Sequence, residues 1–423
     1  MTMSKQPEII TFGCRLNTFE SSLMQAHAKD ANLTDTVIIN TCAVTAEAER
    51  QARQTIRKLK REYPHKKIIV TGCSAQIQPE TYANMSEVDH IIGNQEKLKA
   101  ATFTKLNEVS APRMDVSDIM TVTDAEVDIV PQVEGQSRVY LEVQNGCDHR
   151  CTFCTIPFGR GNSRSVPMGH LFKQVQTYVN QGFKEVVLTG VDITSYGHDL
   201  PGKPTLGQMM RRLLAHIPEL PRLRLSSVDP VEIDEDVFKL LATEKRLMPH
   251  LHISLQAGDD LILKRMKRRH LRPDLLKFCQ KARQARPDVI FGADIIAGFP
   301  TETEDMFQNT LDIIEDCDLT FCHIFPYSPR PGTPAARMPQ VDRPIIKERA
   351  KQLRTAAQTN QTKNFKKMVG KEVTVLVESD QRARAENFMP VHLSTTAEPG
   401  QLISVLIESA DDQLLYGTPS KNH

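Results

Sequence analysis

Three cysteines fall within eight residues, in Asn145-Gly146-Cys147-Asp148-His149-Arg150-Cys151-Thr152-Phe153-Cys154, directly after an apolar stretch that reads as a strand. This C-x3-C-x2-C spacing puts three thiolates in one tight loop. Three cysteines can hold three irons of a cubane iron–sulfur cluster and leave the fourth open, whereas an electron-transfer cluster is closed by a fourth cysteine. An open iron suits a bidentate amino-acid ligand. The competing reading is a zinc site with His149 as fourth ligand. Structural zinc usually gathers its ligands as two separated pairs, and no second pair lies nearby.

A second set of cysteines shares one context. Cys14 in Phe12-Gly13-Cys14, Cys42 in Asn40-Thr41-Cys42 and Cys73 in Thr71-Gly72-Cys73 each follow an apolar strand candidate. In a parallel sheet the three strand ends lie on one edge, where the thiols can converge. A lone cysteine after a strand is more often a small buried hydrophobe; three repeats of the arrangement point to a shared cluster. Cys279, Cys317 and Cys322 have no mutual spacing and read as core residues.

The 423 residues divide by texture. Strands at Glu8–Phe12, Thr36–Asn40, Lys67–Thr71 and Val88–Ile92 alternate with helices at Thr18–Ala28 and Glu47–Glu62, predicting a parallel α/β domain over 6–100. A polar stretch with Ala111-Pro112 and Gly135 as breakers reads as a linker over 101–135. Over 136–368 six strands, Val139–Val143, Glu185–Leu188, Arg222–Leu225, His250–Leu255, Val289–Ile296 and Thr320–Phe325, alternate with helices and predict a partial (β/α)6 barrel. A long polar helix from Asp342 to about Lys367 closes it. Short strands at Glu372–Val377, Arg382–Phe388, Pro390–Leu393, Leu402–Ile407 and Leu414–Tyr416 predict a small all-β barrel over 369–420. The fold class is therefore α/β with a terminal β domain.

The cysteine loop, with an aromatic Phe153 before its third cysteine, resembles the radical S-adenosylmethionine superfamily. Thr189-Gly190-Val191-Asp192 stands where that superfamily receives the methionine amino group. Ser226-Ser227, Ser254-Leu255-Gln256 and Gly292-Ala293-Asp294-Ile295-Ile296-Ala297-Gly298 end or follow later strands, where barrel ligands sit. Phe153, Gly190, Asp192, Ser227, Gln256 and Asp294 are thus the candidate contacts for S-adenosylmethionine. Across nearly the whole chain the order of domains is similar to the methylthiotransferases, which carry a cysteine-triad domain, a radical domain and an RNA-binding TRAM domain. Asn40-Thr41-Cys42-Ala43-Val44-Thr45 and Thr11-Phe12-Gly13-Cys14-Arg15-Leu16-Asn17 look like the members acting on N6-threonylcarbamoyladenosine in tRNA, rather than on isopentenyladenosine or a ribosomal-protein aspartate. Ser379–Glu386 departs from the family pattern in carrying no glycine in the first hairpin of the terminal domain.

That resemblance implies two [4Fe-4S] clusters, one on Cys147, Cys151 and Cys154 and an auxiliary one on Cys14, Cys42 and Cys73. It implies methylthiolation of adenine carbon 2 at tRNA position 37, with a flavodoxin or ferredoxin as electron donor. The chemistry agrees, since a positioned acid or base gains only about 10²–10⁴-fold and cannot open an unreactive C–H bond, while a cofactor-derived radical can. A non-catalytic iron–sulfur scaffold would have no use for the open-iron loop.

The formal net charge of +1 does not announce a nucleic-acid partner, so RNA contact must rest on local patches. Arg50, Arg53, Arg57, Lys58, Lys60 and Arg61 recur on one helix; Lys264, Arg265, Lys267, Arg268 and Arg269 form a second run; Arg382 and Arg384 lie in the terminal domain. Tyr327, Phe388 and Tyr416 are the candidate stacking residues. Met1 to Cys14 has no signal-peptide pattern and no stretch approaches the roughly 20 apolar residues of a membrane span, so a cytoplasmic protein with reduced thiols is expected.

Overall fold

The computed structural model describes residues 6–108, 110–125 and 137–420. β1 (Glu8–Thr11), β2 (Thr36–Thr41), β3 (Lys67–Gly72), β4 (His90–Ile92) and β5 (Met114–Asp115) form a parallel sheet in the order 1-2-3-4-5. β2 and β3 each carry three consecutive apolar residues, 37–39 and 68–70, because both faces are covered. Val37, Ile39, Ile68 and Val70 meet Ile56 and Leu59 of the helix Ala46–Glu62; Ile38 and Ile69 meet Met24 and Ala28 of the helix Arg15–Asp30 on the other side. Thr45 caps the former helix, its hydroxyl accepting from the Ala48 N–H at 3.2 Å.

The segment read as a linker is partly built into this domain. A short helix, Ala100–Lys105, buries Phe103 against Ile38 and Ile69, and β5 adds an edge strand beside β4. Two paired residues leave no periodic trace in sequence. Residues 126–135 of that segment, Gly135 among them, lie outside the described residues, as does residue 136, where the central domain was placed to begin.

The central domain runs through β6 (Val139–Glu142), β7 (Gln144–Asn145), β8 (Arg164–Ser165), β9 (Glu185–Thr189), β10 (Arg222–Leu225), β11 (Ser227–Val228), β12 (His250–Gln256), β13 (Ile290–Ala297) and β14 (Leu319–Pro326). Its parallel wall is β6-β9-β10 followed by β11-β12-β13-β14. β10 and β11 are one path interrupted at Ser226, whose N–H donates to the Leu188 carbonyl at 3.0 Å before the chain turns to pair with β12. The six expected units are all present. The helix Arg343–Lys366 lies along β14, and Arg15–Asp30 of the N-terminal domain lies against β6.

Outward side chains of the wall form the main apolar core, with Leu141, Val186, Leu188, Leu223, Leu251, Ile253 and Phe291 packed under the helices. The inward residues are polar. Alternation puts Arg222 and Arg224 of β10 and His250, His252, Ser254 and Gln256 of β12 on the lumen side. At the floor, Glu185 accepts from Arg224 at 2.9 and 3.1 Å and forms an ion pair with Arg138 at 3.2 Å.

β15 (Glu372–Ser379), β16 (Arg382–Ala385), β17 (Pro390–Leu393), β18 (Leu402–Ala410) and β19 (Leu415–Pro419) close into a barrel in the order 15-16-17-19-18. The expected strand Arg382–Phe388 stops at Ala385, because the chain turns there and Phe388 takes φ +73°. Phe388 thus shapes the second turn of the domain, between β16 and β17, while the glycine-free first hairpin turns between Ser379 and Arg382 with no residue in the left-handed region. This domain docks on the barrel floor: Arg222 donates to the Thr374 carbonyl at 2.9 Å, Arg224 to the Glu386 carbonyl at 2.9 Å, and Arg138 pairs with Glu378 at 2.7 Å.

Candidate active site

Cys147, Cys151 and Cys154 lie in the loop between β7 and the helix Ile156–Arg160, at the C-terminal end of the wall. The loop depends on Gly146. Its φ is +71°, and a Cβ there would stand 1.9 Å from the Asn162 carbonyl oxygen, so the ends of the loop close only with glycine. The Cys147 N–H donates to the Gly161 carbonyl at 3.0 Å and the Thr152 N–H to the Met266 carbonyl at 3.1 Å, fastening the loop to the rim. Arg268 Nη1 stands 3.6 Å from Cys151 Sγ, while Nη2 donates to Asp229 at 3.0 Å and to the Ser254 carbonyl at 2.8 Å. Burial, then the neighbouring Asp192, pushes the Cys147 thiol up to about 12, and burial takes Cys154 to about 12. Ligation here must displace protons.

The candidate cofactor contacts occupy several levels of the barrel. Phe153 packs edge-on against Phe299, with ring centroids 6.2 Å apart. Gly190 follows β9, where a Cβ would meet the Gln144 carbonyl oxygen at 2.5 Å. The Asp192 N–H donates to Gln144 Oε1 at 2.8 Å, and the Asp192 carboxylate lies 2.8 Å from His149 Nε2. Ser227 is exposed on β11, and Gln256 ends β12 at φ +72°. Asp294 sits deeper, three residues before the end of β13, with His252 Nε2 at 3.0 Å and His323 Nδ1 at 3.1 Å from one carboxylate oxygen. Burial works against its charge, yet the two imidazoles hold the Asp294 carboxyl well below the usual carboxylate range.

Cys14, Cys42 and Cys73 come together because β1, β2 and β3 are adjacent and each thiol follows its strand directly or within three residues. Gly13, at φ +108°, lets the Cys14 turn press on Cys42: a Cβ at Gly13 would stand 3.0 Å from Cys42 Sγ. Cys42 and Cys73 are buried and Cys14 is exposed. Burial, followed by Cys73, pushes Cys42 up to about 12. The two triads adjoin. Arg160 ends the helix that begins just after Cys154, and its Nε–H donates to Cys73 Sγ at 3.0 Å.

The donor chemistry separates zinc from a cluster. A tetrahedral zinc with Zn–S of about 2.3 Å needs sulfurs about 3.8 Å apart. Among the described residues, the three-ligand groups whose atoms lie within 4.8 Å are Cys147–His149–Asp192, His252–Asp294–His323 and His149–Asp229–Glu232; none contains two thiols. Cysteines bound to separate irons of a cubane stand further apart. His149, the candidate fourth zinc ligand, is engaged by Asp192 and by Glu232 at 3.3 Å. Each triad offers the three thiols that a cluster with one open iron takes.

Sequence reasoning misses His252, His323 and Arg160, and assigns Arg268 to a basic run for RNA where the structure sets it beside Cys151. The period-two polar residues of β12 within a buried strand were the available signal. The basic runs divide in the structure. Arg265 donates to the Thr301 carbonyl, Arg268 faces Cys151 and Arg269 pairs with Glu232, so these three are engaged within the protein. Arg50 is bound bidentately by Glu47, whereas Arg57, Lys58 and Arg61 are exposed on the far end of the helix Ala46–Glu62. Tyr327 is buried with Phe299, and Phe388 is engaged at the barrel floor, so neither is a free stacking platform; Tyr416 donates to Asp411 at 2.7 Å. Of the cysteines read as core residues, Cys279 and Cys317 are buried and Cys322 is half-buried against the same core; no helix among the described residues is long and apolar enough to cross a membrane.

Comparison with known proteins bears on both triads. Residues 141–314 match the Radical SAM superfamily and residues 6–93 match Uncharacterized protein family UPF0004. The chain is 53% identical over 402 residues, 95% of its length and 94% of the relative's, to the threonylcarbamoyladenosine tRNA methylthiotransferase MtaB of Rickettsia prowazekii (strain Madrid E). It is 35% identical to the protein of the same name from Aquifex aeolicus (strain VF5), covering 94% of this chain and 98% of that one. Among solved structures, the radical S-adenosylmethionine methyltransferase TsrM of Kitasatospora setae shares the fold, with a TM-score of 0.56, 13% identity, and coverage of 79% of this chain and 77% of that chain.

Proposed function

The chain belongs to the radical S-adenosylmethionine methylthiotransferases, of the MtaB type, and from that premise we propose that it places a methylthio group on carbon 2 of N6-threonylcarbamoyladenosine at position 37 of tRNA. The observation that carries the reading is the adjacency of two thiol triads, joined through Arg160 and Cys73. One triad alone would suit many radical enzymes. A second one beside it supplies what a sulfur insertion adds.

Cys147, Cys151 and Cys154 would hold the cluster that keeps an open iron, and Cys14, Cys42 and Cys73 the auxiliary cluster. When bound, these groups and S-adenosylmethionine supply one-electron chemistry, a radical that removes hydrogen from the base and a methylated sulfur that takes its place. The protein contributes position and shielding. Gly146 shapes the loop, Thr152 ties it to the rim, and Arg268 holds Cys151 against β12 through the Ser254 carbonyl. Gln144 orients the Gly190–Asp192 turn by accepting from the Val191 and Asp192 N–H groups at 3.1 and 2.8 Å. Asp294, fixed between His252 and His323, gives the lumen a set of directed polar groups toward a nucleoside. The exposed cations Arg57, Lys58 and Arg61 are positioned to meet tRNA phosphates. An external one-electron donor of flavodoxin or ferredoxin type completes the system.

Nucleoside mass spectrometry of tRNA from cells lacking the protein tests the reading. The expected result is selective loss of 2-methylthio-N6-threonylcarbamoyladenosine with accumulation of its unthiolated precursor. An unchanged profile rejects the tRNA substrate, and loss of a methylthiolated isopentenyladenosine instead reassigns it.

A further inference from the structure

A strip of buried charge runs from the N-terminal domain to the central one. Lys97 Nζ donates to Glu20 Oε2 at 2.6 Å; Arg160 Nη2 donates to Glu20 Oε2 at 2.9 Å and to Asn17 Oδ1 at 2.5 Å, and its Nη1 to Glu20 Oε1. The remaining guanidinium donor, Nε–H, goes to Cys73 Sγ at 3.0 Å. Side chains of Lys97 and Glu20 are 0% exposed and that of Arg160 is 2% exposed. Asn17 is also held, its Nδ2 donating to the Phe12 and Thr41 carbonyls at 2.7 and 3.1 Å. The strip is therefore tied through Asn17 to the turns that carry Cys14 and Cys42, and through Arg160 to Cys73.

The charges do not balance within the strip. Two cations face one carboxylate, a formal positive excess away from water, with burial pulling the Lys97 ammonium below its ordinary value and Glu20 opposing that shift. Glu142, buried nearby, does not correct this, since burial and Glu20 hold it well above the usual carboxylate range and its Oε1 accepts only from Asn145. An uncompensated buried charge is strongly unfavourable, so a matching anion is needed. A [4Fe-4S] core of formal charge +2 on three thiolates carries one negative charge, which closes the balance. At the central loop the account differs, because Arg268 beside Cys151 is already neutralised by Asp229.

We infer that Arg160 is a positioning residue for the auxiliary cluster: with Lys97 and Glu20 it forms a built-in counter-charge that makes this cluster easier to reduce than the central one. An N–H···S bond and a fixed positive charge both stabilise the more negative, reduced form, so they raise the reduction potential. Arg160 also sits on the helix that follows Cys154, so the same side chain fixes the distance between the two sites.

The inference rests on the reading that Cys14, Cys42 and Cys73 hold a cluster, and the test separates the two. Full-length protein is reconstituted anaerobically, and both clusters are titrated by electron paramagnetic resonance, the central one identified by its response to S-adenosylmethionine. Arg160→Met should shift the auxiliary potential negative and leave the central one in place, with Arg160→Lys shifting it less. Glu20→Gln, which enlarges the positive excess, should shift it positive. A merely structural role would move both variants the same way. Same-direction shifts, or none, overturn the inference while leaving the two-cluster reading intact; wild-type protein with iron at a single site overturns that reading itself. Should Arg160→Met fail to retain the auxiliary cluster, the sign of the Glu20→Gln shift decides.

Discussion

The Phe388 ring of the terminal barrel lies on the His250 imidazole of the central wall, with centroids 4.8 Å apart and planes 24° from parallel. Three guanidiniums surround the same ring: Arg384 at 4.4 Å, Arg224 at 5.0 Å and Arg15 at 5.3 Å from its centroid. These belong to the terminal, central and N-terminal domains respectively. One aromatic side chain thus joins all three, and its positive φ aims it there.

Phe388→Ala should therefore cost about 2–3 kcal/mol, below the full loss for a deeply buried phenylalanine because the ring is only half-buried. Chemical denaturation together with limited proteolysis near Gly370 checks this, and faster cleavage there would report undocking. Stability and cleavage equal to wild type would remove Phe388 from the domain junction.

Replacing Gly146 tests the cysteine loop without touching a ligand. Gly146→Ala meets both the φ of +71° and the Asn162 carbonyl, so the loop cannot close. Iron per chain should fall by about half as the central cluster is lost, while the auxiliary cluster's spectrum persists. Full iron content in this variant would contradict the loop geometry.

The two triads should separate by product. Cys151→Ala is expected to abolish 5′-deoxyadenosine formation, whereas Cys42→Ala should spare part of it and stop sulfur insertion. Liquid chromatography of both products from each variant gives the answer, and identical behaviour of the two would argue against a division of labour.

Glu185 ties stability to pH. Burial opposes its charge, but Arg224 and Arg138 prevail and lower its value from 4.5 to about 2. A carboxyl depressed in the folded state stabilises the fold above its unfolded value, and that contribution is lost as pH falls through the folded one. Glu185→Gln should cost about 3–5 kcal/mol near neutrality, since it strands Arg138 and Arg224. The difference from wild type should narrow between about pH 5 and pH 2. Urea denaturation across that range measures it; a constant gap would show that Glu185 is not the titrating group.

The RNA surface is tested through salt. Arg57→Ala combined with Arg61→Ala should weaken tRNA binding and reduce the slope of log affinity against log salt by up to about 2. Binding that loses strength with an unaltered slope would place the phosphate contacts elsewhere.

Much of this architecture was legible because local signals coincide with it. Cys14, Cys42 and Cys73 each follow an apolar run, and the six wall strands are long enough to show a period. β5 was missed because two edge residues in a polar stretch carry no pattern. The charged strip was missed for another reason: Glu20 meets Lys97 across 77 residues and Arg160 across 140, so nothing near any of them announces the pairing. Phe388 was misjudged as a stacking platform, because an aromatic in a short β domain looks the same from sequence whether it faces RNA or another domain. The lumen histidines, in contrast, were there to be read in the alternation of β12.

The arginines under the wall find their outer acceptors on Thr374, Glu378 and Glu386, all beyond Gly370. During synthesis these guanidiniums emerge well before their partners. The underside of the central domain is therefore completed last, and any stop codon short of that point leaves these arginines with Glu185 alone to share among them.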